Sequence, residues 1–156
     1  SGGNFQGAGA VQVNVNGRTV FTGYPNTLGA FSGKYTIPSK TGPGSLVITA
    51  TEGYALSATV TFTVIPTITI TPPSGPVGTP ITVSGAGFTA SNTAEVWWYD
   101  PNTYQNYDIG PVPTSASGKF SEAITPPETL TSGTTYTVTV YDNATGIAVQ
   151  ATFTTQ

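Results

Sequence analysis

Groups able to do chemistry are few in this chain. It has seven Asp and Glu, four Lys and Arg, and no His, Cys or Met. Without His or Cys, neither a Ser-His nor a Cys-His nucleophile can be assembled. A glycosidase would need two carboxylates facing each other across a cleft. The acids here are scattered, and alternation puts Glu95 and Glu122 on outward strand positions, as solvated surface groups. Asp100, Asn102, Asp108 and Asp142 carry the hard oxygen ligands that calcium takes, but without an EF-hand spacing. Asp100-Pro101-Asn102 and Asp142-Asn143 read as turns instead. No catalytic residue, cofactor site or metal site is assigned, and the chain is not expected to be an enzyme.

The other candidate groups are aromatic. In Glu95–Tyr107, EVWWYDPNTYQNY, Trp98 is expected in the core. Alternation then turns Trp97 and Tyr99 outward, with Tyr104 and Tyr107 following on a long loop. Four exposed aromatics in one region can cover an open sheet face, contact another protein, or stack on sugar rings. Asn143-Ala144-Thr145 is the only N-x-Ser/Thr sequon, which makes Asn143 a candidate N-glycosylation site on a turn.

Composition bounds the rest. Charged residues make up 7% of the chain, against about 25% in ordinary soluble proteins. Aromatics reach 11%, and Val, Ile, Thr and Tyr are abundant, which favours pleated sheet over disorder. No run with a helical period is present. A net charge of −3 without a basic cluster gives nucleic acid nothing to bind. No apolar run approaches the roughly 18–20 residues of a helical membrane span, so no membrane insertion is expected. No signal peptide is visible, so a secreted protein would carry its leader outside this sequence.

The elements that position these groups repeat. Ala10–Gly17 alternates, with Val11, Val13 and Val15 on one side, and ends at an Asn16-Gly17 hairpin turn into Arg18–Thr22. Ala30–Pro38 alternates again, with Phe31, Gly33, Tyr35 and Ile37 on one face. Leu46–Thr51 and Ala55–Ile65 are longer strands around Glu52-Gly53-Tyr54. The second half follows the same order through Ala94–Asp100, Gly118–Thr125, Thr135–Tyr141 and Ile147–Thr154. Ala151-Thr152-Phe153-Thr154 echoes Val60-Thr61-Phe62-Thr63, and Ser1-Gly2-Gly3-Asn4-Phe5 echoes Ser84-Gly85-Ala86-Gly87-Phe88. Two copies of one all-β unit are expected, 1–66 and 67–156, joined end to end by a very short linker. The second copy has two extra strands, Thr67–Thr71 and Ile81–Val83, ahead of that shared turn. The first lacks them, so it should expose an apolar groove and unpaired edges. A longer repeat array, a smaller first domain, or a strand from another chain would each account for this.

Ser74-Gly75-Pro76-Val77-Gly78-Thr79-Pro80-Ile81-Thr82-Val83-Ser84-Gly85-Ala86-Gly87-Phe88 resembles the IPT/TIG-like branch of immunoglobulin-like domains. Such repeats are common in bacterial and archaeal cell-surface proteins, S-layer components and filaments. The resemblance covers Thr67–Gln156 well, and the first half only from its second strand onward. It implies an immunoglobulin-like β-sandwich in each half, the first lacking its N-terminal strands, and an extracellular location. It implies a structural role as a rigid segment of a filament, stalk or S-layer, with neighbouring copies or repeats as partners. An adhesin or carbohydrate-binding module meeting surface glycans, and an accessory domain of a secreted enzyme, are the alternatives. Some immunoglobulin-like pilins carry a Lys–Asn isopeptide bond; Lys34 and Lys119 sit beside inward Tyr35 and Phe120, so both should face solvent, which argues against one here. With few titratable groups, folding should couple weakly to pH. The melting temperature is therefore expected to change little between neutral pH and about pH 3, where carboxylates titrate, as thermal denaturation across that range would show.

Overall fold

The computed structural model describes residues 1–6, 9–53, 56–127 and 130–156. The turn residue Tyr54 and the expected strand start at Ala55 fall outside them. The described residues hold no helix and twelve strands. The chain divides into two compact units, Ser1–Ile37 with Ser45–Thr63, and Pro38–Gly44 with Val64–Gln156. Pro38–Gly44 falls inside the expected first half, 1–66, but belongs to the second unit. There Gly42 lies so close to Thr89 that an added Cβ would stand 2.7 Å from its hydroxyl.

The second unit is β-sandwich-like. One sheet has the order β10 (Phe120–Ile124), β7 (Ile81–Ala86), β5 (Thr67–Thr71). The other runs β6 (Ser74–Gly75), β12 (Ala148–Thr155), β11 (Thr135–Asp142), β8 (Thr93–Asp100), β9 (Gln105–Pro113). All pairs are antiparallel except β6 with β12. Ile70, Ile81, Val83, Phe120 and Ile124 of the first sheet share one core with Val96, Trp98, Tyr136, Val138, Val140 and Phe153 of the second. Strict alternation explains this. Ala94, Val96 and Trp98 are fully buried on β8, with partly exposed neighbours between them. Among the described residues, the Trp98 indole N–H is buried without a partner, a cost of this packing.

The first unit has a single four-stranded sheet, β2 (Arg18–Gly23), β1 (Val11–Val15), β3 (Gly44–Glu52), β4 (Leu56–Val64). β1 and β2 turn through Asn16 and Gly17, at φ 46° and 80°, the left-handed pair that a two-residue hairpin requires. Its order matches β9-β8-β11-β12 of the second unit, strand for strand. The expected strand over Ala30–Pro38 is not formed. Only Phe31 pairs there, through one isolated bridge to Gly2. The alternation is present in the sequence, but among the described residues no strand pairs with it beyond that bridge.

Two further strands were not legible. Gln105–Pro113, expected as loop, is β9; its prolines and Asp108 are tolerated on an edge. Ser74–Gly75, inside the Pro-rich turn, pairs in parallel with Thr154–Thr155.

A clasp recurs in both units. Phe88 N–H donates to the Gly118 carbonyl at 3.1 Å, and Phe5 N–H to the Gly29 carbonyl at 3.1 Å. The rings cross edge-to-face, Phe88 on Phe120 and Phe5 on Phe31, each at 5.2 Å between centroids. Beside each clasp a buried carboxylate accepts backbone N–H groups. Asp142 takes those of Thr89 at 2.6 Å and Thr145 at 3.0 Å, and Glu52 those of Gln6 at 2.7 Å and Gly9 at 3.0 Å. Gly118 is left-handed at φ 66°, and a Cβ there would collide with the Phe88 carbonyl oxygen. Gly118→Ala is expected to destabilise the second unit by about 2 kcal/mol or more, read by urea denaturation.

Candidate functional site

One face of the first unit's own sheet is left uncovered. Val13, Phe21, Ile48, Ala50, Val60 and Phe62 point to one side, as the β1–β2 and β1–β3 registers and the alternation of β4 require. They line an open apolar groove of about 430 Å³. Phe31, Gly33, Tyr35 and Ile37 form its far wall. Phe5 and Val11 are the buried hydrophobic side chains among the described residues of this unit. Phe62 is 46% exposed and Val60 62%, whereas Phe153, the counterpart of Phe62 on β12, is fully buried. The same inward face is thus covered in one unit and open in the other.

The edges differ in the same way. β4 ends its sheet, and its nine residues, LSATVTFTV, contain neither charge nor proline. On β12 the equivalent edge is paired with β6 at Thr154 and Thr155. The other edges of these larger sheets are blunted, β2 by Arg18 and β9 by Asp108, Pro111 and Pro113.

The aromatic residues expected to act together are divided. Trp97 and Tyr99 lie on the outward side of β8, both half-buried. Tyr104 is 78% exposed, in a left-handed turn at φ 57°. Tyr107 is not a loop residue on this surface. It belongs to β9, pairs directly with Trp98, and packs against the core. The bulge between Val96 and Trp97 and the pairing of Trp98 with Tyr107 set its direction. Trp97 instead shares a shallow depression of about 510 Å³ with Tyr141, Glu95, Asn106, Thr139 and Asn143. Tyr141 was missed because it reads as the end of a core strand. β11 places it opposite Glu95 on the outward side, where it is 41% exposed.

Asn143 is exposed at the rim of this depression, and its Nδ2 donates to Thr93 Oγ1 at 3.0 Å and to Glu95 Oε2 at 3.4 Å. The calcium candidates do not converge. Asp142 pairs with Ala94 at one end of β8, and Asp100 forms the other end. Asp100 accepts the Asn102 N–H at 2.8 Å, a turn contact, and Asp108 is exposed on β9. Lys34 and Lys119 are exposed, with Lys34 at the groove wall.

Comparison with protein-family models and with curated protein sequences returns no match. The two tryptophans provide a test of this assignment. Trp98→Ala is expected to cost about 3–5 kcal/mol of unfolding free energy. Trp97→Ala is expected to stay within about 1 kcal/mol of the parent, both measured by chemical denaturation.

Proposed function

We propose that the chain is a structural protein of the cell exterior, a segment of a filament, stalk or surface layer, built from two immunoglobulin-like sandwiches of which the first is incomplete. The observation that carries this reading is β4, a nine-residue edge without charge or proline beside an uncovered apolar face. Folded proteins normally blunt such edges, and one left bare is suited to joining another strand. A net charge of −3 over 156 residues leaves little repulsion between copies. The immunoglobulin-like assignment is supported by strand order in the second unit, with the short β6 parallel to the last strand. It is supported too by Tyr136 near the start of β11, whose hydroxyl accepts the Thr131 N–H at 2.7 Å, five residues upstream. A tyrosine tied back to upstream backbone at this place is a hallmark of immunoglobulin sandwiches.

Neighbouring copies or adjacent repeats are the partners in this reading. Sedimentation velocity over a concentration series, with electron microscopy of the concentrated sample, is expected to show association. Ser57→Lys with Thr61→Lys, which puts charge on the β4 edge, is expected to abolish it while the melting temperature is kept. A parent chain that stays monomeric throughout would remove self-assembly from the proposal.

A second reading has its own observation. The depression at Trp97 and Tyr141 combines two aromatic side chains with Asn106, Asn143 and Glu95, the mixture of stacking face and hydrogen-bonding groups that sugars use. Glycan-array binding that disappears in Trp97→Ala would favour an adhesin over a purely structural segment.

A further inference from the structure

The two units share a register, and it identifies what the open groove is shaped to hold. In the second unit β10 is paired along its length with β7, Phe120 with Gly85, Glu122 with Val83 and Ile124 with Ile81. Ile81 and Val83 point into the core and are buried there. In the first unit Phe31 pairs with Gly2 as Phe120 does with Gly85. The Phe31 ring also closes over Gly2, as the Phe120 ring closes over Gly85. Beyond that bridge the correspondence stops. Ser32–Ile37 makes no strand pairing among the described residues, and the places opposite Gly33 and Tyr35, held by Val83 and Ile81 in the second unit, are open groove.

We infer that this groove is the seat of one added β-strand with the chemistry of β7: β-branched apolar side chains at alternate positions, then Ser-Gly. It lies antiparallel to Phe31–Ile37, with two inward side chains opposite Tyr35 and Gly33. The reading rests on the assembly role proposed above and names the partner in it. In this proposal a second polypeptide donates the strand; the strands described in the chain are already paired in its own sheets. Its Ser-Gly end takes the place of Ser1-Gly2, which is held to Phe31 by two hydrogen bonds of 3.1 and 3.0 Å. Main-chain pairing supplies the attachment, and the alternate pockets supply selectivity. Polar side chains at the inward positions would be buried without partners, so they are excluded.

The test uses the 156-residue chain with a synthetic peptide of the sequence Thr79–Ala86 at about 1 mM, a concentration that reveals weak binding. Amide hydrogen exchange at Ser32–Ile37 is expected to slow by about tenfold or more, and binding of a hydrophobic dye to fall. The same peptide carrying Ile81→Asp and Val83→Asp is expected to do neither. Equal protection by both peptides would overturn the inference. So would protection seen only when the sequence Thr67–Val83 is joined covalently ahead of Ser1, because the strand would then belong to the same chain. Absence of protection in every arm would overturn it too. A chain that stays monomeric yet is protected by the peptide keeps this inference and loses only self-assembly. A chain that associates yet shows no protection loses this inference alone.

Discussion

Both units are closed at one end by the same clasp. A phenylalanine N–H reaches a left-handed glycine, the phenylalanine ring meets a second ring, and a buried carboxylate ties down the backbone that follows. In the second unit these parts are Phe88, Gly118, Phe120 and Asp142; in the first, Phe5, Gly29, Phe31 and Glu52. Each part constrains the next. Without a Cβ, Gly118 and Gly29 let the phenylalanine backbone approach; a side chain would strike its carbonyl oxygen. The carboxyl oxygens accept from N–H groups that would otherwise be buried unpaired. Asp142 also accepts the hydroxyls of Thr89 and Thr145, so one side chain fixes two turns.

What separates the units is not this clasp but what lies over the sheet next to it. Four strands in matching order present the same kind of inward face in each. In the second unit β5, β7 and β10 cover it and water is excluded. In the first, burial stops at Phe5 and Val11, and Val60 and Phe62 remain in contact with solvent. Burying a valine or phenylalanine side chain is worth about 1.5–3 kcal/mol. The first unit forgoes that for side chains such as Val60 and Phe62.

The repeat, the strand polarity and the inward set on β8 were legible because alternation with Val, Trp and Tyr is a strong period-two signal. An uncovered apolar face in the first half was expected for the same reason, by comparing copies, and the groove over Val60 and Phe62 is such a face. Three features were not. β9 is built from Gln105, Asn106, Asp108, Gly110 and two prolines, residues that resemble loop and are acceptable only because the strand is at an edge. The direction of Tyr107 depends on a bulge between Val96 and Trp97, which no residue type announces. Ser32–Ile37 shows the converse. Its alternation is sound, yet strand structure requires a partner, and local sequence carries no record of whether one is present. That Trp97 and Tyr141 share a depression was hidden because the two lie far apart in sequence and come together only across the β8–β11 ladder.

The bare β4 edge sets a limit on stoichiometry. If two copies met only through that edge, each would satisfy the other by a two-fold axis, and growth would stop at a dimer. A strand received in the groove is a different kind of contact, because giver and receiver use unlike surfaces. Contacts of that kind do not close on themselves unless the rotation happens to form a ring, and they give an assembly a direction. Under the proposed assembly role, the rim of this sheet favours pairs and its face a directional array.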